Sequence, residues 1–172
     1  MLKHLLIHIL INKTLVNTYN SDMKKIFNKN IIIIVLTFLI PGLIAFIIRD
    51  SFSTYKLLAR PRLSPPGIIF PIVWNILYLL MSISVILVKE KDRNNLKIYY
   101  IQIILNALWS PIFFVLKNYL LALIELNILL ITVLFMFYKF CRESKVSGYL
   151  LIPYLIWLIY AMYLNYYVYL YN

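Results

Sequence analysis

The sequence predicts an all-α integral membrane protein built as a bundle of five transmembrane helices, and three observations predict it. Of 172 residues, 63% are hydrophobic and only 13% are charged, against about 45–50% and about 25% in ordinary soluble domains. The apolar residues come in blocks of about twenty, the length that crosses a hydrocarbon core of roughly 30 Å. Charged residues gather between the blocks and are nearly absent within them. A compact soluble chain this short has too little interior to hide so much apolar surface, which excludes a water-soluble enzyme. Lipid cannot satisfy open backbone groups, so helices are required. The shorter alternating segments of a β-barrel are not visible. One cysteine, Cys141, excludes an internal disulfide and a cysteine-based metal cluster within one chain.

Residues 1–28 read as an N-terminal arm and 29–172 as the five-helix domain. Within the arm, Leu2–Ile11 is apolar but too short to span, and it lacks a small-residue cleavage site. It reads as an interfacial helix or a disordered arm. Alternatively, translation starts at Met23, since Met23-Lys24-Lys25-Ile26-Phe27-Asn28-Lys29 resembles an ordinary membrane-protein beginning. His4 and His8 stand at helical spacing, but two ligands make no metal site.

The first span, Ile31–Ile48, holds Pro41-Gly42 and Ala45, which predict a kink and a close helix crossing. The loop Arg49–Pro65 follows. In Arg60-Pro61-Arg62-Leu63-Ser64-Pro65-Pro66 the prolines fix φ and remove donors, so the loop reads as a stiff cover over one end of the bundle. Pro66 is expected in the first turn of the second span, Pro66–Val88. The remaining spans are Ile98–Leu116, Tyr119–Tyr138 and Tyr149–Tyr171. No repeat at a solenoid period occurs.

Lys and Arg set the topology. Twelve lie before the first span, in the second loop and in the fourth; five (Arg49, Lys56, Arg60, Arg62, Lys117) lie on the opposite side. This bias places the N-terminus inside and the C-terminus outside. The net charge of +11 is then topology and lipid headgroup contact, and nucleic acid is not an expected partner.

Side chains that lipid disfavours carry most membrane function. Trp74, Tyr78 and Ser82 stand at steps of four in the second span, beside Asn75. Gln102, Asn106 and Ser110 do so in the third, with Trp109 nearby; Pro153, Trp157, Ala161 and Asn165 do so in the fifth. Such residues glue helices together or belong to the interfacial Trp belt. Yet Trp74 and Trp157 each lie nine residues into their spans, below the belt, and together the three sets predict an aromatic pocket with a few polar anchors. Glu125, six residues into the fourth span, is either a proton-relay group or a headgroup-level carboxylate paired with Lys117 or another basic group. The last 24 residues hold eight Tyr, some of which must line the bundle and find hydroxyl partners. Nucleophilic triads, paired carboxylates and Gly-rich phosphate loops are missing, so hydrolase and kinase chemistry has no residues to run on.

The stretch Tyr55-x-x-Leu58-x-Arg60-Pro61-x-x-Ser64-Pro65-Pro66-x-x-x-Phe70-x-x-x-Trp74-x-x-Leu77-Tyr78-x-x-Met81 resembles the TspO/MBR family, the tryptophan-rich sensory and translocator proteins. Leu105-Asn106-Ala107-Leu108-Trp109-Ser110-Pro111-Ile112-Phe113-Phe114 is similar to a second family signature. Pro153-Tyr154-Leu155-Ile156-Trp157 with Ala161-x-x-Leu164-Asn165 is similar to a third. The resemblance covers roughly residues 31–172.

It implies a five-helix bundle, often dimeric, whose pocket is closed by the first loop and takes tetrapyrroles such as protoporphyrin IX and haem, benzodiazepine-type ligands and, in animals, cholesterol. The family's pocket Trp residues fall on Trp74 and Trp157, its amide on Asn106 and its small residue on Ala161. Where family members often carry Trp around the loop, this chain has Thr54, Arg62, Leu63 and Ile68. Leu164-Asn165-Tyr166-Tyr167-Val168 is similar to the animal cholesterol motif, but no basic residue follows it, so specific cholesterol recognition is not expected.

Three functions follow from these expectations. The first is a non-enzymatic tetrapyrrole receptor or carrier, with Trp74, Tyr78, Asn106, Trp109, Pro153, Trp157, Ala161 and Arg60 as ligand-binding residues. The macrocycle stacks on Trp74 and Trp157, and Arg60 meets either its propionates or lipid headgroups. The second is light- or oxidant-dependent porphyrin breakdown, with Trp74 and Trp157 as the redox-capable residues. The third is a proton-coupled small transporter using Glu125. No metal or resident cofactor is expected, porphyrin or haem being a ligand. Membrane lipid and a second copy of the chain are the expected partners, in a bacterial cytoplasmic membrane.

Overall fold

The computed structural model describes residues 2–172, with side chains described from residue 23 onward. His4, His8 and the apolar run Leu2–Ile11 lie outside the residues whose side chains are described. The helices are α1 (Leu2–Ile47), α2 (Ile69–Val88), α3 (Asn94–Phe114), α4 (Tyr119–Glu143), α5 (Lys145–Tyr149) and α6 (Ile152–Tyr171), with a 3₁₀ helix at Arg49–Lys56. Five segments are long and apolar enough to cross a bilayer: Met23–Ile47, α2, α3, α4 and Lys145–Tyr171. The protein is an integral membrane protein with five spans.

Several boundaries differ from the sequence reading, each for a local reason. Helix α2 begins at Ile69 rather than Pro66: residues 66–68 form a turn closed by Ile69 N–H donating to the Pro66 carbonyl at 3.0 Å. Pro71, three residues in, is the proline that occupies the first turn, where its missing N–H has no partner to lose. Helix α3 starts four residues earlier than expected, because Asp92 Oδ1 accepts the Asn94 N–H at 2.8 Å and holds the first turn. Its end is wound shut by Leu116 N–H on the Pro111 carbonyl and by Lys117 at φ 51°, a left-handed exit from the helix. Asn118 then caps α4 through its side chain, accepting from Leu121 N–H at 3.0 Å. Helix α4 continues past Tyr138 to Glu143, carrying Lys139 and Arg142 out of the membrane on its last turns. The fifth span is broken in two at Leu150–Leu151, and Pro153 helps to start α6. About half of the loop read as a stiff cover is the 3₁₀ helix.

The bundle is apolar outside and mixed inside. Leu39, Leu43, Ile72, Ile76, Ile128, Phe135 and Ile159 face outward, toward acyl chains. The buried core joins Met81 and Val85 of α2, Ile103 of α3, Leu129, Val133 and Met136 of α4 and Leu158 of α6. Thr37, Ser82, Ser84, Gln102, Asn106, Ser147 and Asn165 are buried with it, as expected where helices associate through small and polar side chains. Helix α4 packs mainly on α3 and α6, and α1 lies on α2 and α3.

The basic end is pinned by short polar interactions. Ser84 Oγ donates to the Ser147 carbonyl and Ser147 Oγ to the Ser84 carbonyl, both at 2.7 Å, tying α2 to α5. Lys139 Nζ meets Asp92 Oδ2 at 2.6 Å, and Asn95 donates to the Val88 carbonyl at 2.8 Å and to Glu143 Oε2 at 2.5 Å.

Gly148 packs directly on Cys141, whose Sγ occupies the place a Cβ would take, with the Cys141 backbone 3.0 Å from that place. Gly148→Ala is therefore expected to lower stability by roughly 1–3 kcal/mol through overpacking. Thermal unfolding in detergent reads the loss, and Cys141→Ala in the same chain recovers only part of it, since the crowding against the residue 141 backbone remains. The Lys139 hydrogen bond, and next the Asn94 N–H, hold the Asp92 carboxyl below its ordinary value of 3.8. The stabilisation this brings is complete above that value and fades as pH falls through the lowered one. Thermal midpoints of the parent and Asp92→Asn should thus differ near neutral pH and converge in strong acid.

Candidate functional site

A cavity of about 460 Å³ lies between α1, α2, α3 and α6 under the first loop, within the range of roughly 300–1,000 Å³ usual for small-molecule sites. Helix α1 contributes Phe38, Pro41, Gly42 and Ala45, a stripe at helical spacing. Helix α2 gives Phe70, Trp74 and Tyr78 along one face, with Pro71 and Asn75 beside it. Helix α3 gives Asn106, Trp109, Ser110 and Phe113, and α6 gives Ala161, Leu164, Asn165 and Val168. The 3₁₀ helix and loop close it with Phe52, Tyr55, Pro61 and Ser64. Nine lining side chains are aromatic and none is charged, so the chamber suits a flat apolar body.

Most polar groups of the wall have hydrogen-bond partners within the protein. Tyr78 OH donates to Asn106 Oδ1 at 3.1 Å, and Asn106 Nδ2 donates to Tyr154 OH at 3.2 Å. Tyr154 OH donates to Gln102 Oε1 at 3.1 Å, and Gln102 Nε2 lies 3.7 Å from Met81 Sδ. This chain joins α2, α3 and α6. Asn106 keeps one N–H and part of its carbonyl capacity for a ligand. Nearer the loop, Trp109 Nε1 donates to Asn165 Oδ1 at 3.0 Å, and Asn165 Nδ2 donates to the Tyr119 carbonyl at 2.8 Å. That second chain fixes the Trp109 ring, which stacks on Phe113 at 4.9 Å.

Of the residues singled out from the sequence, Trp74, Tyr78, Asn106, Trp109 and Ala161 share this wall. Trp157 stands behind it, edge-on to Trp74 at 6.4 Å and to Phe70 at 5.9 Å. The two tryptophans touch, so this arrangement leaves no slot between them for a macrocycle. Trp157 instead props Trp74, which also stacks on Tyr78 at 5.4 Å. Pro153 is exposed at the start of α6, away from the cavity. Arg60 lies outside the chamber, its guanidinium 4.6 Å from the Tyr55 ring centroid, beside an open recess of about 420 Å³ that shares Pro61 and Ser64 with the cavity.

The loop is held shut from several directions. Tyr55 OH and Ser64 Oγ are 2.7 Å apart, and Tyr160 OH donates to the Leu63 carbonyl at 2.6 Å. Asn172 accepts from Ala59 N–H at 2.9 Å and donates to the Ala59 carbonyl at 3.2 Å.

Glu125 faces the bundle interior, 7% exposed, with neither carboxyl oxygen hydrogen-bonded. Among the described residues it is not paired with Lys117 or any other basic group. Sequence reasoning missed the α1 wall, because Pro41, Gly42 and Ala45 read there as packing residues. It also missed Tyr154 as the hub of the main chain of hydrogen bonds, although a tyrosine within a span beside Gln and Asn at matching depth is the signal for one. Among the described residues no three His, Cys, Asp or Glu come together as a metal site.

The comparisons with known proteins agree with this architecture. The family model for the TspO/MBR family matches residues 31–170. A tryptophan-rich protein TspO of Chlorobaculum tepidum is 35% identical over 118 residues, covering 65% of this chain and 75% of that protein. A tryptophan-rich sensory protein of Cereibacter sphaeroides is 33% identical over 114 residues, 65% of this chain and 72% of its own length. Protein CrtK of Rhodobacter capsulatus is 35% identical over 118 residues, 65% and 74% of the two chains. The region matched by the family model holds most of the first span, nearly all of the fifth, the three between them, the loop and the cavity they enclose, and the chain belongs to the TspO/MBR family.

Proposed function

We propose that this chain is a non-enzymatic membrane receptor or carrier for a tetrapyrrole of the protoporphyrin IX or haem class. The observation that carries the reading is the aromatic, uncharged 460 Å³ chamber with a hydrogen-bonded amide in its wall. Apolar burial dominates affinity at about 25 cal/mol per Å², less the cost of ordering the partners. The ring lies against Trp74, Tyr78 and Trp109, with the free capacity of Asn106 setting its orientation. Carboxylates at the edge reach toward Arg60 in the outer recess. The lining contains no His, Cys or Met, and Tyr78 OH and Tyr55 OH are engaged with Asn106 and Ser64, so on this reading haem is held mainly by its faces and edge. The sensory name of the Cereibacter sphaeroides relative favours reception over chemistry.

The bias of basic residues supports an N-terminus inside and a C-terminus outside, in a bacterial cytoplasmic membrane. Lipid acyl chains and a second copy of the chain are the proposed partners, on the apolar outer faces of the bundle.

Titrating detergent-purified protein with protoporphyrin IX, followed by Trp quenching and the Soret shift, is expected to give saturable micromolar binding. Trp74→Leu should weaken it tenfold or more, and Trp157→Leu by a smaller factor because it stands behind the wall and acts through Trp74 and Phe70. Absence of saturable binding, or equal affinity in Trp74→Leu, would defeat the reading.

A second reading, proton-coupled transport, is favoured by one observation: Glu125 is buried in the bundle with both oxygens without partners, a costly placement in a membrane interior that commonly serves proton relay. On this reading protoporphyrin flux into liposomes responds to an imposed pH gradient and loses that response in Glu125→Gln. Flux indifferent to both leaves the receptor or uncoupled carrier.

A further inference from the structure

The cavity reaches the surface along one strip. Gly42 on α1, Phe52 on the 3₁₀ helix, and Gly67, Pro71 and Asn75 at and within α2 are the lining residues that are exposed; the rest of the wall is buried or half-buried. Phe52 lies at the α3 edge, its ring 4.9 Å from that of Phe114; the other four lie on α1 and on or just before α2, along the seam between those helices. It is open at Gly42 and at Gly67, where a Cβ would meet nothing within 4 Å, and it ends below at the Phe38–Tyr78 contact, 5.8 Å between ring centroids.

The depth of the strip places it in hydrocarbon. Gly42 lies five residues before the end of α1 and Asn75 six residues after the start of α2, about 7–9 Å along the axes at 1.5 Å per residue. Helix α2, with 20 residues, spans roughly the 30 Å of a hydrocarbon core. The seam therefore opens about a quarter to a third of the way in from the loop side. Its rims are the outward side chains Leu39 and Leu43 of α1 and Ile72 and Ile76 of α2, so the opening is continuous with the lipid-facing surface. Asn75 is otherwise out of place there. Its Nδ2 donates to the Pro71 carbonyl at 2.8 Å, but an amide on a lipid-facing position is costly unless it serves a cavity.

The water-facing end offers the opposite conditions. Asn172, Tyr160 and the Tyr55–Ser64 pair tie the loop down, Pro61 is buried beneath it, and Arg49, Lys56, Arg60 and Arg62 are exposed on it. An apolar solute arriving from water would meet hydrated charge and a latched cover.

We propose that the cavity opens sideways into the leaflet on the loop side through the α1–α2 seam, and takes its occupant, a membrane-dissolved apolar molecule, from the hydrocarbon rather than from water. The proposal rests on this cavity being the binding chamber, but not on the occupant being a tetrapyrrole.

The test uses the full chain with all three tryptophans, reconstituted in phosphatidylcholine vesicles whose acyl chains carry bromine in their upper third, since bromine quenches Trp on contact. Trp74 and Trp109 line the chamber. Substantial quenching is expected, falling at least twofold in Gly42→Phe, whose ring closes the seam, with acrylamide in the water quenching little in either protein. Asn75→Phe closes the seam from the α2 side and should act alike, which keeps the test decisive if one variant fails to reconstitute. Equal lipid quenching in the parent and the closed variants would overturn the proposal, as would strong acrylamide quenching of the parent. A chain that shows the expected pattern yet binds no protoporphyrin IX keeps the lateral opening and loses only the tetrapyrrole reading.

Discussion

The Tyr78–Asn106–Tyr154–Gln102 chain is the interaction on which the rest of the architecture depends. In a bilayer, apolar packing alone distinguishes poorly between one helix arrangement and another, because acyl chains are as apolar as leucine. Register must come from close steric fit and from polar groups that find partners only in one geometry. Here a single line of hydroxyls and amides holds α2, α3 and α6 at matched depth, and each member is buried or half-buried. Slipping any of the three helices would strand at least one polar group in a medium that offers no replacement. The same line forms part of the cavity wall, so the groups that fix the fold also present the polar chemistry of the site.

That coupling explains why so much of the site was legible in the sequence. Trp74 and Tyr78, Asn106 and Trp109, and Ala161 and Asn165 fall at spacings of three or four, and helical geometry carries such spacings onto one face without needing a partner structure. The five spans were legible for the same reason, apolar length being a property of each segment alone. What failed to show were the relations between segments. Nothing local distinguishes a Pro-Gly pair that lines a chamber from one that merely packs, so the α1 wall was hidden. The Trp74–Trp157 meeting depends on how α2 and α6 approach. Equal depth of the two rings was readable, whereas their edge-on orientation was not. The start of α3 shifted where the Asp92 side chain takes up the Asn94 N–H, because such local hydrogen bonds compete with hydropathy for the first turn, whereas the Asn118 cap left α4 starting at Tyr119 as read.

The two ends of the bundle are built differently. At the basic end, the Lys139–Asp92 ion pair ties α4 to the connection between α2 and α3, and reciprocal serine hydrogen bonds tie α2 to α5. At the other end the helices enclose the chamber, and aromatic side chains take up much of the packing around it. Phe70, Trp74 and Trp157 meet edge to face, as do Trp109 and Phe114. Such pairs brace open space with large rigid side chains that lose little entropy on ordering. Glu125 sits on the interior stripe of α4 with Ala122 and Leu129, outside both arrangements.

The fastening of the loop has a consequence for how such a protein diverges. Tyr160 and Asn172 bind Leu63 and Ala59 through main-chain oxygen and nitrogen, which every residue except proline supplies in full. The side chains at those positions are thereby released from the duty of anchoring the cover. Mutation can then alter the charge or bulk of the loop, or its aromatic content, while the cover keeps its seat. Selection can rework what the outer end displays without renegotiating how the chamber is closed.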